Sequence, residues 1–333
     1  MHLQNIPSIH RQYDHVYISP HFDDTAASCS GQILKQLDQG ESVLIVTVFS
    51  AATAHESAIA GNALKSILDY KQRRKEDSTA MKRLGVDYLW LDYPEFLFRD
   101  QPPWARYWPH YHSTPNNKIL CDQLTRELQD ICIRTNCADL ILPLGVGQHM
   151  DHQVLFQAGI TRQMKNQGSC RTRFYEEIPY ALFSFLLDYR LNKIGIKHPL
   201  SPGQRCQTAD TTRLSLKETF RLASGIPYLG THGALVKPGL FLFVMMFHFY
   251  TRYLMRSASG VSYNPGLFPE VCDITPFIDR KIFAISAYRS QLSGPMLSEH
   301  RIKMGLAAYG RTLGMPGGSF GERYWTMPDP NIS

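Results

Sequence analysis

The sequence predicts an α/β fold: a Rossmann-like, mostly parallel sheet with helices on both faces, plus a C-terminal extension. Over roughly the first 190 of its 333 residues, short apolar runs alternate with longer amphipathic stretches, which is typical of β-α-β units. Runs such as 43–49 are apolar on both faces, as expected for parallel strands that helices cover on both sides. We therefore place a core domain at 1–190 and the extension at 191–333.

The individual elements follow from the same patterns. The apolar runs predict strands at 15–19, 42–49, 87–91 and 139–142. The amphipathic stretches predict helices at 32–39, 70–84, 117–134 and 151–165. In the less regular second half, 173–180 predicts a strand that ends in a turn, and 277–289 predicts a helix. No G-x-G-x-x-G follows the first strand, so the dinucleotide-binding version of this fold is not predicted.

An apolar stretch in the extension, 240–255, is expected to form a helix that packs on the core. Its uninterrupted apolar part, Leu240 to Phe247, is much shorter than the ~20 residues that a membrane-spanning helix needs. We therefore predict no membrane span. An interfacial helix with peripheral lipid contact, a dimer contact and a lipid-binding lid stay open as alternatives, and the sequence does not indicate the oligomeric state.

Charge and cysteine content narrow the class of protein. The net charge is +6 and the pI is about 8.9, but there is no long Lys/Arg block and no basic stripe interleaved with aromatics. Nucleic-acid binding is therefore not predicted, and an anionic small molecule is weakly favoured. The seven cysteines form no C-x-x-C pair, so neither a disulfide framework nor a zinc ribbon is indicated. With no secretion signal at the N-terminus, we expect a cytoplasmic protein.

Two polar segments directly follow predicted strands: 19–24 (Ser-Pro-His-Phe-Asp-Asp) and 149–152 (His-Met-Asp-His). The carboxyl ends of parallel strands lie at one rim of the sheet, so we expect these segments to meet in one crevice. Either segment alone also fits a loop that binds magnesium and phosphate or that caps a helix. Together they predict a hydrolytic zinc site, because such sites take three His or Asp/Glu ligands and keep a position for water.

The neighbouring carboxylates Asp23 and Asp24 are expected to have different roles, because successive side chains diverge. Asp24 would bind the metal with His21 and His152, and Asp23 would accept the proton of the attacking water. Asp151 is expected to orient a histidine. In the same segment, His149 is expected to donate a proton to the leaving amine or to stabilise the oxyanion. Other divalent first-row metals could replace Zn²⁺ at such ligands.

These segments resemble the motifs of the PIG-L/LmbE-like zinc N-deacetylases, which read S-P-H-x-D-D in a large bacterial branch and H-x-D-H further on. The family's intervening R-x-x-E and L-G are matched by Arg73, Glu76 and 84–85. The resemblance covers about 13–180 well and the C-terminal third loosely, through 288–291. It implies zinc ligands at His21, Asp24 and His152, a general base at Asp23 and an acid or oxyanion partner at His149.

The sequence departs from the family pattern at three positions. Phe22 replaces the usual proline, and Thr25 replaces the usual glutamate, but neither change removes a ligand. Some mycothiol-type members have a tyrosine two places before H-x-D-H, where this chain has Gly147. If a tyrosine helps to stabilise the oxyanion here, it must come from elsewhere.

Three further residues are candidates for substrate binding. The resemblance implies that Arg73 faces a substrate phosphate or hydroxyl, and a surface ion pair with Glu76 is the alternative. The proline- and aromatic-rich loop at 93–112 contains Trp104 and Trp108, which could stack on a sugar or an acyl group or simply anchor the loop.

The sequence thus predicts a metal-dependent N-deacetylase that removes an N-acyl group, most often acetyl, from a small-molecule amino sugar or glycoside. Two alternatives remain: an amidohydrolase of a lipid, peptide or natural-product amide, and a non-catalytic metal-containing carbohydrate-binding protein. The second is disfavoured because Asp23, which only the chemistry needs, is present.

Overall fold

The computed structural model describes residues 1–51, 69–99, 115–164, 170–182, 184–196, 265–291 and 299–328. Within these ranges the chain forms one sheet of eight strands. The strands are β1 (His2–Leu3), β2 (His15–Ser19), β3 (Val43–Thr47), β4 (Asp87–Trp90), β5 (Asp139–Pro143), β6 (Arg171–Tyr175), β7 (Phe268–Asp273) and β8 (Gly321–Thr326). The helices are α1 (Asp24–Asp38), α2 (Tyr70–Leu84), α3 (Pro115–Thr135), α4 (Met150–Met164), α5 (Ser184–Lys193), α6 (Ile278–Ile285) and α7 (Glu299–Thr312).

The strand order across the sheet is β1-β4-β3-β2-β5-β6-β8-β7. Strands β1 to β6 pair in parallel, whereas β8 is antiparallel to both β6 and β7. From β2 the chain builds outward through β3 and β4 and then returns to add β5 on the other side of β2. The carboxyl ends of β2 and β5 therefore border a topological switch point, which is where ligands bind in open α/β sheets.

Side chains of the central strands alternate between two hydrophobic clusters, one on each face of the sheet. In β2, Val16 and Ile18 belong to the cluster that includes residues of α3 and α4, whereas Tyr17 belongs to the cluster that includes residues of α1 and α2. All three side chains are completely buried. This two-sided burial explains the uninterrupted apolar strand sequences, and it confirms the predicted mostly parallel sheet with helices on both faces.

Most predicted elements match the observed ones within a few residues; α6 ends at Ile285, four residues before the predicted end, and the largest difference lies at the start of α1. This helix begins at Asp24, eight residues before the predicted start, because its first turns are packed on all sides and show no amphipathic period. A Cβ on Gly31 would lie 2.6 Å from a side-chain carbon of Ile274. Helix α2 has the predicted bounds; the Asp69 carboxylate accepts a hydrogen bond from Gln72 N, and Gly85 ends the helix in the left-handed conformation.

The C-terminal extension adds β7 and β8 to the same sheet. Buried polar contacts hold the extension against the rest of the sheet. The Glu176 carboxylate accepts hydrogen bonds from Arg323 Nε (2.6 Å), from Trp325 Nε1 (2.7 Å) and from the Tyr309 hydroxyl. The predicted helix at 240–255 lies outside the described residues. Among the helices that the structure describes, none is long and apolar enough to cross a membrane.

Candidate functional site

The turn after β2 brings His21, Asp23 and Asp24 to the switch point. The Ser19 hydroxyl donates to the His21 carbonyl (2.6 Å) and accepts from Thr25 N (3.1 Å), which ties the strand end to the first turn of α1. Phe22 points into the core and packs its ring edge-on against the ring of Trp90. The side chain at the position of the family's usual proline therefore serves packing.

The turn after β5 brings the second segment to the same place. Gly145, Gly147 and Gln148 all have positive φ angles, and helix α4 starts directly after them at Met150. His149 precedes this helix, and Asp151 and His152 lie in its first turn. The rings of His21, His149 and His152 have centroids 5.0 to 5.4 Å apart, so the two segments meet as predicted.

Asp24 lies between two histidine nitrogens. Its Oδ2 atom is 3.1 Å from His21 Nδ1 and 3.3 Å from His152 Nε2. Ligand atoms of a tetrahedral zinc ion with bonds of about 2.0–2.1 Å lie about 3.4 Å apart. The donor set and its spacing therefore fit a zinc ion. His149 offers another nitrogen, within 4.8 Å of those of His21 and His152.

A buried carboxylate holds the other nitrogen of each of these two histidines. Asp151 Oδ2 lies 3.1 Å from His21 Nε2, and Glu177 Oε1 lies 3.0 Å from His152 Nδ1. Both carboxylates are completely buried. This arrangement fixes each ring and its tautomer and makes the remaining nitrogen a better metal ligand, as is usual around metal-binding histidines.

Further contacts hold the two supporting carboxylates in place. Glu177 also accepts hydrogen bonds from Gly145 N (2.6 Å) and Val146 N (3.1 Å), in the turn after β5. Asp151 accepts from Phe96 N (3.0 Å) and forms an ion pair with Arg99. The first residues of the aromatic loop therefore reach the site.

The pKa directions reflect this charge arrangement. Burial raises the pKa of the Asp24 carboxyl, but the charges and hydrogen bonds of His152 and His21 outweigh that effect and hold the pKa well below its usual value. Burial lowers the pKa of His152, but Asp24 and Glu177 outweigh it and raise that pKa to about 9. Asp24 is thus an anion at neutral pH, as a metal ligand must be.

Asp23 lies at the edge of this group and remains accessible, with 35% of its side chain exposed. The carboxyl is still partly shielded from water by the protein around it; this partial desolvation and the charge of Asp24 raise its pKa above the usual value, which favours a proton acceptor. Arg73 Nη2 lies 3.6 Å from Asp23 Oδ1, and Arg73 Nη1 lies 2.8 Å from Glu95 Oε1. Arg73 is thus a buried residue that pairs with Glu95, whereas Glu76 contacts Ser290.

His149 is the second accessible polar group, with 26% of its side chain exposed. Burial lowers its pKa to about 4, so the ring is neutral at neutral pH. Asp151 N donates to His149 Nδ1 (3.3 Å), which assigns the ring proton to Nε2. His149 can therefore donate a hydrogen bond through Nε2.

The charges at the described part of the site also fit a divalent cation. Five carboxylates (Asp23, Asp24, Glu95, Asp151 and Glu177) meet two guanidinium groups (Arg73 and Arg99) and the rings of His21 and His152. Burial lowers the pKa of both rings, but the neighbouring carboxylates outweigh it and raise the pKa, so each ring holds an extra proton at neutral pH. A divalent cation that replaces these two protons would keep the total charge unchanged.

Comparison with protein families identifies the domain that carries this site. Residues 16–162 match the model of the PIG-L family, described as GlcNAc-PI de-N-acetylase. Residues 16–162 form a PIG-L domain. The match includes both polar segments, so the family resemblance stated from those motifs is confirmed. The PIG-L domain ends within α4, before the extension begins.

Several of the proteins that this chain resembles are named deacetylases. The chain is 26% identical over 190 residues to 2'-N-acetylparomamine deacetylase of Niallia circulans, an alignment that covers 50% of this chain and 66% of that enzyme. Among solved structures, a deacetylase of the teicoplanin biosynthesis pathway has a TM-score of 0.62 at 17% identity, covering 97% of this chain and 100% of that one. The zinc-inhibited form of teicoplanin deacetylase gives 0.60 at 18%, with the same coverage. At these identities the structural likeness shows the fold.

Tyr180 occupies the space beside Gly147. The Tyr180 ring is so close that a Cβ on Gly147 would lie 2.8 Å from it, and its centroid lies 6.3 Å from that of His152. Burial and the charges of Asp24 and Asp23 raise its pKa. A tyrosine from another segment thus lies next to the PIG-L site, in the 3₁₀ turn Tyr180–Leu182 after β6.

All metal-site and catalytic candidates named from the sequence, together with Arg73, lie at this one rim. Trp104 and Trp108 lie outside the described residues. The sequence analysis missed Glu95, Arg99, Glu177 and Tyr180. Glu177 had a usable signal, because it follows a strand of the same parallel sheet and so reaches the same rim.

Proposed function

We propose that this protein is a zinc-dependent N-deacetylase that hydrolyses the N-acetyl amide of an amino sugar or glycoside to acetate and a free amine. The observation that carries the proposal is the convergence of Asp24 Oδ2 with His21 Nδ1 and His152 Nε2, 3.1 and 3.3 Å away. In each histidine, the other nitrogen is held by a buried carboxylate. Such supported ligands are typical of metal centres.

The residues at the rim have separate roles in this reaction. His21, Asp24 and His152 would hold the zinc ion, which would supply a Lewis acid for the amide carbonyl and would lower the pKa of water to about 7. Asp23 accepts the proton of the attacking water, since its carboxylate is accessible and its pKa is raised. Arg73, held by Glu95, limits where the Asp23 carboxylate can lie.

We assign His149 and Tyr180 to stabilise the negative charge that develops on the carbonyl oxygen of the substrate. His149 is neutral in the free protein and can donate a hydrogen bond from Nε2 to the oxyanion. Because the neutral ring carries no extra proton, oxyanion stabilisation is favoured over proton donation to the leaving amine. Departure of the amine then requires a proton, and the carboxyl of Asp23, protonated in the first step, can return it. Tyr180 borders the same space and can donate through its hydroxyl.

The substrate class rests on the named relatives. The relative from Niallia circulans is named 2'-N-acetylparomamine deacetylase, and the solved structures with the same fold include a deacetylase of the teicoplanin biosynthesis pathway. We therefore propose an N-acetylated amino-sugar glycoside as substrate, with a small molecule rather than nucleic acid as partner.

A panel assay tests this proposal. The chain is stripped of metal, reloaded with zinc and incubated with N-acetylated amino-sugar glycosides and with analogues that carry longer acyl chains, and the released acid and amine are quantified. Asp23→Asn removes the proposed base, and Asp38→Asn is the matched control, an exposed acid at the other end of α1.

We expect acetate release by the wild type and by Asp38→Asn, and a rate roughly 10²–10⁴-fold lower for Asp23→Asn. Faster turnover of long-chain than of acetyl amides would replace acetyl as the proposed leaving group. Binding of glycosides without acid release, or an unchanged rate in Asp23→Asn, would contradict the proposed reaction.

A further inference from the structure

Three cysteines that come from separate segments of the chain meet at the amino ends of β5 and β6, at the opposite end of the strands from the candidate metal site. Cys132 lies in α3, Cys137 lies between α3 and β5, and Cys170 directly precedes β6. Their Sγ atoms lie within 4.8 Å of one another, with Cys132 to Cys170 at 3.6 Å and Cys137 to Cys170 at 2.9 Å. Each residue is at most 6% exposed. Three separate chain segments therefore present sulfur to one small buried space.

A buried guanidinium lies beside this thiol cluster, Cys132, Cys137 and Cys170. Arg162 in α4 is almost completely buried and donates from Nη1 to the Cys170 carbonyl (3.3 Å). A neighbouring positive charge favours the thiolate, which is the form of cysteine that binds metals.

We propose that Cys132, Cys137 and Cys170 form a second metal site, which binds a soft cation of the Zn²⁺ class through three sulfurs. Zinc–sulfur bonds of about 2.3 Å place the sulfurs of a tetrahedral site about 3.8 Å apart. The Cys132–Cys170 pair already has nearly this spacing, and Cys137 needs to move away by less than 1 Å. Thiolate ligands favour zinc and similar soft ions over magnesium or calcium.

The position of this second site assigns it a structural role. It lies at the amino ends of β5 and β6, whereas the rim residues described above follow the carboxyl ends of β2, β5 and their neighbours in the sheet. A five-residue strand such as β5 spans about 16 Å. A metal there would join α3 to both strands. All three sulfurs are buried, so a substrate could not reach an ion bound there, and the role we assign is structural.

Titration with Cd²⁺ tests the proposal, because cadmium replaces zinc and its bonds to thiolates absorb in the ultraviolet. The full chain is reduced, freed of metal and reductant under nitrogen, and titrated with Cd²⁺ alone. We expect two ions per chain and a strong thiolate-to-cadmium band. The triple variant Cys132→Ser/Cys137→Ser/Cys170→Ser should lose the band and one ion, whereas Cys29→Ser/Cys272→Ser, a control outside the cluster, should keep both.

Two more variants keep the test independent of folding defects and of the rim. Cys137→Ser alone keeps two thiolates and should weaken the band with an unchanged far-ultraviolet circular dichroism spectrum. Asp24→Ala should lose one cadmium ion but keep the full band. Absence of a thiolate band in the folded wild type would overturn the proposal, and so would a band that persists in the triple variant. A Cys137–Cys170 disulfide that forms in place of metal binding would also overturn it.

Discussion

The thiol cluster lies at the amino ends of β5 and β6, and the rim lies at the opposite, carboxyl ends of the strands of the same sheet, but the two regions differ in ligands and in access. The rim combines imidazoles with carboxylates and leaves Asp23 and His149 35% and 26% exposed. The thiol cluster contains only sulfur ligands, all of them buried. Catalytic metal sites keep a position open for water, and structural sites are closed. Access of the reacting groups therefore distinguishes the two centres better than the number of ligands does.

The two regions also differ in what holds their ligands. At the rim, Asp151 and Glu177 fix His21 and His152 through hydrogen bonds from outside the metal position. At the thiol cluster, the sulfurs contact one another, and packing of α3 against the sheet holds them. Rim variants should therefore change turnover and metal affinity, whereas thiol variants should change only the second site and stability.

The largest expected effect is that of Asp23→Asn on turnover. The amide keeps the size of the side chain but cannot accept the water proton, so the rate should fall by roughly 10²–10⁴-fold. The metal content should stay that of the wild type, because Asp23 is not among the proposed ligands. Parallel measurement of acetate release and of bound metal checks this.

A loss of bound metal together with activity in Asp23→Asn would mean that Asp23 is a ligand, and the separate roles of the two neighbouring carboxylates would then be wrong. Asp24→Asn is the matched variant, one residue along the chain. It should lose the metal of the rim as well as activity.

A smaller effect is expected when the supporting carboxylates are changed. Asp151→Asn and Glu177→Gln should each weaken zinc binding at the rim by about 10–100-fold, because the histidine rings lose their anionic partners. Competition with a colorimetric chelator measures the affinity. The ultraviolet band of the thiol cluster should not change in either variant.

Asp279→Asn is the control for these two variants, since Asp279 is an exposed acid that pairs with Lys303 at the surface. Its rim affinity should equal that of the wild type. Equal affinities in Asp151→Asn, Glu177→Gln and Asp279→Asn would show that the carboxylates do not support the ligands.

The last prediction concerns the free energy of unfolding and tests how tightly the turn after β5 is packed. Gly147→Ala places a methyl group 2.8 Å from the Tyr180 ring at a φ of +83°, which combines backbone strain with overpacking. Gly40→Ala has the same φ but nothing within 4 Å, so it should lower the free energy of unfolding by only about 1–2 kcal/mol. Gly147→Ala should cost about 1–3 kcal/mol more.

Urea denaturation of both variants measures this difference, and turnover of Gly147→Ala should fall because the Tyr180 ring must shift. Equal stability of the two variants would show that Tyr180 does not press on Gly147.

Most of the fold could be predicted because the central strands are apolar on both faces and the helices between them are amphipathic. The start of α1 could not, since its small residues pack on all sides and lack a period. The metal-site and catalytic candidates, together with Arg73, were found because they form two compact motifs. Glu177 and Tyr180 come from a third segment, and only the strand order places that segment beside β5. The thiol cluster was missed because its members are separated by spacings that match no zinc motif.

The ion-pair partner of Arg73 also could not be predicted from the sequence. Its spacing to Glu76 in the sequence fits an ion pair on one helix turn, but the structure pairs it with Glu95 from the loop after β4. Local spacing identifies residues that can interact, and tertiary contacts decide which of them do.

Zinc dependence of acetate release tests the central claim most directly. The metal-free chain is titrated with zinc in the presence of an N-acetylated amino-sugar glycoside, alongside Asp24→Ala, which retains the thiol cluster but lacks one proposed ligand of the rim. We predict that acetate release by the wild type rises with zinc bound at the rim and that Asp24→Ala stays inactive at every zinc concentration. Acetate release by the metal-free chain, or release by zinc-loaded Asp24→Ala at the wild-type rate, would contradict the account.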